Sequence, residues 1–472
     1  MKLHQAKLFC VVFASLLALS GPAFGQDNGG GGNGGGGGDG DLNINFAQPI
    51  AGVEIDATGV LHTRRLDHRV ANERLMAARQ LKNVEAMEPS ELRKVSLNRL
   101  ERAVAAAVDA GQDPSDEMLS MAGLVGIQYV FFFPETNDVV IAGPAEGAFR
   151  DPMGRFLGTA TGRPVMQLED MVTALRAFAP GVQPTRTISV SIDPSPDGLK
   201  RMQRFLNSLG GRAQPGQEGV IAASLKQNLG MQTVTLKGVP FTTNFARVLV
   251  EADYRMKLIG IGLERLPIPL ASYTDRSSPA QGAANALQRW FFIPNYDGVS
   301  VSEDGLALKL NDRGVRLVGE SELVDRAGNR SAGGRINRAS EGFCNDFTKL
   351  YPQIAQLVPV YAELRNLIDA SIAAAYIQQQ DFYGQAEWSL TTFGDESRFA
   401  VENHVAPQQV ETAVNAVWKG TSLLTPIGGG IHLQPRQALT SERMVNEADG
   451  ASDAVKQLSA PTGLRDDQWW WD

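Results

Sequence analysis

Cysteine and histidine are scarce, with two and five residues in a chain of 472, and each scarcity removes a class of protein. Cys10 lies in an apolar N-terminal stretch, which leaves Cys344 as the one thiol beyond it. No internal disulfide framework can then hold the fold, which must rest on a hydrophobic core. Cys344 sits next to Phe343 and close to Phe347, and reads as a small buried hydrophobe rather than a nucleophile. There is no H-E-x-x-H, and the six-residue spacing of His62 and His68 does not put two ligands on one helix face. His404 and His432 lie at the other end of the chain, so no metal is expected.

The usual catalytic signatures are also missing. No serine occupies G-x-S-x-G: the nearest match, Gly319 to Leu323, fails at its last position, and there is no Ser-x-x-Lys pair. Gly428-Gly429-Gly430 lacks the lysine and the helix start of a phosphate loop, and nothing points to a cofactor. Acidic residues outnumber basic ones, 52 to 44, which argues against a nucleic-acid partner. After residue 20 no apolar run approaches the roughly 18 residues needed to span a bilayer.

What is present begins with export. Lys2 and Lys7 precede the uncharged apolar run Leu8 to Ser20, followed by Gly21-Pro22 and the small-x-small triplet Ala23-Phe24-Gly25. This is the pattern of a signal peptide over 1–25, cleaved before Gln26. Cys10 stands inside the run and not at its end, so a soluble exported protein is expected rather than a lipoprotein, placed in the periplasm or outside the cell. A glycine-rich linker follows over 26–45. Asp39, Asp41 and Asn43 imitate the start of a calcium loop, but Ile44 and Ile50 stand where glycine and glutamate are required.

The period of the apolar residues then divides the chain. Region 46–125 reads as helical, with helices over Leu66–Asn83, from Pro89 to about Ala110 and from Ser115. Region 126–335 reads as a mixed α/β core. It opens with a hairpin of Ile127–Phe133 and Asp138–Ala142, and a short helix is expected over Asp170–Ala179. Two strand-then-helix units follow, Thr187–Ile192 with Pro196–Leu209 and Met231–Leu236 with Phe241–Lys257, and then strands between Trp290 and Val318. A helical hairpin is expected over 336–384, parted at Pro359, then a weakly patterned region 385–445 and a loose acidic tail 446–472 ending in Trp469-Trp470-Trp471-Asp472. The fold class is α+β, with N-terminal helices, a central mixed sheet with packed helices and a long helical hairpin.

Several stretches resemble an uncharacterised family of exported bacterial proteins, classed as a domain of unknown function: Met121–Gly143, Phe245–Glu264, Arg289–Pro294 and Phe347–Asn366. The resemblance covers about residues 60–380. It implies export and a shared fold, and no site residue comes with it.

Among polar groups, Glu251, Asp253, Arg255 and Lys257 form two acid-first i, i+4 pairs on a helix, an arrangement that stabilises a helix by a few tenths of a kcal/mol per pair. Tyr129 to Phe133 and Trp290 to Phe292 read as core strands. The candidate partner-binding residues are Trp469, Trp470 and Trp471, since indoles dominate binding hot spots. The leading expectation is a non-catalytic binding or scaffolding protein, with an envelope or extracellular macromolecule as partner. The alternative is an exported hydrolase whose acid–base site forms only in three dimensions. The sequence does not indicate the oligomeric state.

Overall fold

The computed structural model of the chain describes residues 17–18, 52–55, 60–64 and 88–472, except 152–153, 210–212, 279–285, 295–298, 311–314, 325–329, 333–336, 420–421, 425–429, 441–443 and 447–450. Apart from Leu17–Ala18, which pair with Ser422–Leu424, the expected signal peptide lies outside the described residues. So do the glycine-rich linker, the calcium-like stretch, the helix over Leu66–Asn83 and His68.

The fold is α+β, and among the described residues its strands form two principal sheets. The seven-stranded sheet contains β1 (Ser90–Ser96), β2 (Tyr129–Phe133), β3 (Asp138–Ala145) and β4 (Trp470–Trp471). From one edge its order is Met444–Asn446, Val299–Val301, Ala307–Leu310, β2, β3, β1, β4. In the β2–β3 hairpin, Asn137 takes the left-handed backbone that the turn needs, with φ 57°. Phe131 and Phe133 face one apolar cluster and Phe132 the other, so this strand is buried on both sides.

The nine-stranded sheet runs Arg330–Ala332, Val315–Val324, Ala286–Pro294, Gly430–Leu433, Ile188–Pro194, Gln232–Lys237, Gln409–Val410, Val60–Arg64, Gly52–Ile55. The strands of the two expected strand–helix units are antiparallel neighbours here, Gln232–Lys237 against Ile188–Pro194. Between them lies the helix Glu218–Leu229, packed on Pro196–Leu209, which the apolar period did not reveal.

Two expectations are corrected. Ser90–Ser96 is a strand and not the start of a helix: it pairs with β3, and helix α1 (Leu97–Asp109) begins only where the Ser96 side chain accepts from Arg99 N at 3.4 Å. Val299–Val301 and Ala307–Leu310 do not pair with the strand of Trp290 and instead join β2 in the seven-stranded sheet. The tail is not loose. Ala451–Leu458 is helical, and Trp470–Trp471 close the β1 edge in register Trp470↔Val95 and Trp471↔Lys94.

Helices α2 (Leu168–Ala177), α3 (Asn244–Gly260), α4 (Arg338–Leu357) and α5 (Pro359–Gln379) surround the core, and Pro352 lies within α4 without ending it. Trp290 is fully buried, with its indole N–H donating to Ser340 Oγ at 2.9 Å and its ring edge-on to Phe343. Gly260 closes α3 against this ring: a Cβ there would stand 2.6 Å from Trp290 Cζ3. Cys344 is buried in the same layer, and burial raises its thiol pKa to about 12. Helix α5 is buried from Val360 to Ile377, apart from Arg365, and holds Glu363, Asn366 and Asp369 among its apolar residues. No helix among the described residues is long and apolar enough to cross a membrane.

Candidate functional site

The first turns of α2 and α3 and the start of α5 bring ionisable residues together from distant parts of the chain. Glu169 and Asp170 stand in the first turn of α2, where the helix dipole favours negative charge. Asn244 opens α3 and donates from Nδ2 to Asp170 Oδ2 at 3.0 Å. Asp170 Oδ1 is buried with no hydrogen-bond partner. Burial pushes the Asp170 pKa well above the ordinary value, and the nearby Glu169 and Glu363 push the same way against the Asn244 hydrogen bond and Arg247.

Glu363, on α5, is 4% exposed, and neither of its oxygens accepts a hydrogen bond. The nearest cation is Arg247, whose Nη2 stands 3.9 Å from Oε1. Burial raises the Glu363 pKa despite the opposing pull of Arg247 and Arg155, with Glu251 and Asp151 adding to the rise. Arg247 is held elsewhere: Nε and Nη2 donate to Asn244 Oδ1 at 2.9 and 2.6 Å, and Nη1 to Glu251 Oε2 at 3.4 Å.

Arg155 arrives from the small hairpin Ala148–Arg150 and Phe156–Gly158 and donates from Nε to Asp151 Oδ2 at 3.1 Å. Burial opposes its charge, but attraction by Glu363, Asp151 and Glu251 outweighs that, so its pKa is raised. Nearer the surface stands His404, whose Nε2 lies 3.0 and 3.1 Å from the two oxygens of Glu169. The backbone N–H of His404 donates to Thr242 O at 2.8 Å, which fixes this loop against the start of α3. His404, Glu169 and Arg247 are half-buried, whereas Asp170, Asn244 and Glu363 are buried, so the cluster runs from the surface into the core. No three His, Cys, Asp or Glu side chains among the described residues are grouped as metal ligands.

The site continues along α3 through the residues the sequence paired. Arg255 Nη1 lies 3.6 Å from Glu251 and Lys257 Nζ 3.1 Å from Asp253, so both i, i+4 pairs form. Their setting differs from a solvated helix face. Asp253 and Lys257 are buried, and the main partner of Arg255 is Glu264, reached from Nη2 at 2.6 Å. Burial raises the Glu264 pKa against the attraction and hydrogen bonding of Arg255. Beyond Glu264 is a cavity of about 360 Å³ lined by Ile259, Leu266, Ile268, Pro269 and Leu270.

The tryptophans lie at another place, on the edge of the seven-stranded sheet. Trp469 is 6% exposed and belongs to the main core. Trp470 lies over the Arg93 guanidinium at 4.5 Å, and Trp471 donates from Nε1 to Ser459 O at 3.2 Å.

Sequence reasoning missed Glu169, Asp170, Asn244, Arg247, Glu363 and His404. One signal for them existed. Glu363 stands with Arg365, Asn366 and Asp369 in a long run of apolar helix, where polar groups on a buried face are the exception. The rest had none, because Asp170 and Glu363 are 193 residues apart and only the packing of α2 on α5 joins them.

Residues 190–273 match the family model described as "Protein of unknown function (DUF1598)". No curated protein and no solved structure matches the chain. The matched segment includes Asn244, Arg247, Glu251 and Arg255, the α3 side of the cluster. The chain thus carries a domain of unknown function, in keeping with the family resemblance of its sequence.

Proposed function

We propose that the chain is an exported hydrolase whose acid–base site assembles only in three dimensions, at the junction of α2, α3 and α5. The observation that carries this reading is the buried Asp170–Glu363 pair beside the half-exposed Glu169–His404 contact. Two carboxyl groups whose burial favours the protonated form can hold a proton and deliver it to a leaving group. His404, oriented by Glu169, is placed at the wet side to take a proton from an attacking water. Arg247, anchored by Asn244 and Glu251, supplies positive charge between the two acids. Export rests on Lys2, Lys7 and the apolar run that follows them.

The binding or scaffolding reading drew on a loose aromatic tail. With the indoles packed at the β1 edge, its remaining support is the lack of a catalytic signature in the sequence and the glycine-rich stretch over 26–45. The test is a panel of chromogenic glycosides, esters, phosphoesters and peptides offered to the protein beginning at Gln26. One class should be turned over, and Asp170→Asn and Glu363→Gln should each lower kcat by about 100-fold or more with the fold intact. Failure of the folded protein on every class, or turnover unaffected by both substitutions, would end the proposal. Fractionation of cells expressing the full chain tests export separately.

A further inference from the structure

Arg93 is 1% exposed, and a buried guanidinium needs a carboxylate or a set of carbonyls to stay charged there. Its Nη1 donates to Ala122 O at 2.9 Å and Nη2 to Glu88 O at 2.8 Å, both within the body of the protein. The carboxylate comes from the tail: Asp472 accepts from Nε and Nη2, each at 2.8 Å, a bidentate pair. Burial works against the Asp472 carboxylate, yet hydrogen bonds from Arg93 and Ser90 outweigh it and keep its pKa below the ordinary value.

The same edge recognises what precedes the acid. Ser96 N–H donates to Trp469 O at 2.9 Å, Trp469 enters the main core, and Trp470 stacks on Arg93. Trp471 packs on the opposite sheet face with Phe131, Phe133 and Val140. Main-chain pairing, alternate aromatic pockets and a charged clamp for a side-chain carboxylate are the parts of a strand-addition site. The connection to this strand is slight. Arg465, Asp466 and Asp467 are exposed, Gly463 has φ +71°, and Arg99 reaches Arg465 O at 3.4 Å.

We propose that the β1 edge is a binding groove for an aromatic strand that carries an aspartate carboxylate onto Arg93, and that its occupant in trans is the Trp469–Asp472 strand of a second copy of this chain. The groove is complementary to this sequence, and a second copy carries the same strand on the same exposed connection. A reciprocal exchange re-forms the Trp469–Asp472 contacts between two copies, so protein concentration sets which form prevails.

The test mixes isotopically labelled and unlabelled full chain at high concentration, followed by native mass spectrometry. The expected result is a mixed dimer that appears with concentration and resolves slowly on dilution. A monomer at every concentration would overturn the proposal. A second measurement uses a fluorescent synthetic peptide of residues 464–472. Full chain carrying Asp472→Asn, whose own tail is weakened, should capture this peptide about tenfold more tightly than the unaltered chain. Equal or absent binding by the two chains counts against the groove. Peptide capture without any dimer assigns the groove to a foreign strand and overturns the second-copy occupant.

Discussion

Glu101 and Glu363 are buried alike, at 5% and 4% exposure, yet the two sites treat the acid in opposite ways. Glu101, on α1, accepts from Thr392 N and Phe393 N at 2.7 Å each and from the Trp388 indole N–H. Glu146 has the same character, taking Ala160 N at 2.7 Å, Thr161 N at 2.9 Å and the Thr161 hydroxyl. These carboxylates are staples: each gathers the orphan donors of a loop, and the loop needs the acid as much as the acid needs the loop. Glu363 gathers nothing, and Asp170 leaves one oxygen unmatched. Withholding donors from the second set favours its protonated form over its ionised one, which is the condition the proposed acid–base role requires.

Four substitutions break or sharpen this contrast. Glu101→Ala should be the most damaging, because three buried donors lose their acceptor; a loss of about 4 kcal/mol is expected by urea unfolding. A loss below about 1 kcal/mol would remove the contrast. Asp253→Ala lies between the extremes, since it strands Lys257, 3.1 Å away and buried; about 3 kcal/mol should be lost in the same assay.

Glu363→Gln should move stability the other way, with a gain on the order of 1 kcal/mol at neutral pH, because Arg247 keeps Asn244 and Glu251 and Arg155 keeps Asp151. The sign in pH follows from the raised folded pKa. The folded chain holds the Glu363 proton more tightly than the unfolded chain, so this stabilisation is full below the ordinary value of 4.5 and is lost as pH rises from there through the folded value. Unfolding curves of the two proteins should therefore coincide more closely at acid pH and separate toward neutrality. The smallest effect belongs to Asp197→Ala, whose partner Lys200 stands 3.5 Å away with both side chains exposed; no measurable change in stability is expected.

Local order was legible in the sequence wherever one period dominated. The hairpin of β2 and β3, the helix Pro196–Leu209 capped by Ser195, and the break at Pro359 follow from turn residues, a cap and a missing N–H. Ser90–Ser96 was not legible because Ser-Glu-Leu-Arg-Lys suits a helix start, and only β3 on one side and the tail on the other make it a strand. The same holds for the tail: three tryptophans look unpartnered until Arg93 is known to be buried beside them. The acids of the candidate site lie further still from sequence reading, since Asp170 resembles an ordinary helix-start acid until α5 covers it.

The most direct test of the central claim is infrared difference spectroscopy of the carboxyl C=O stretch on the folded protein near pH 6, compared with the double variant Asp170→Asn, Glu363→Gln. A protonated-carboxyl band in the natural chain that vanishes in the variant is the predicted result. A natural chain with no such band at that pH, with its acids all ionised, would contradict the account.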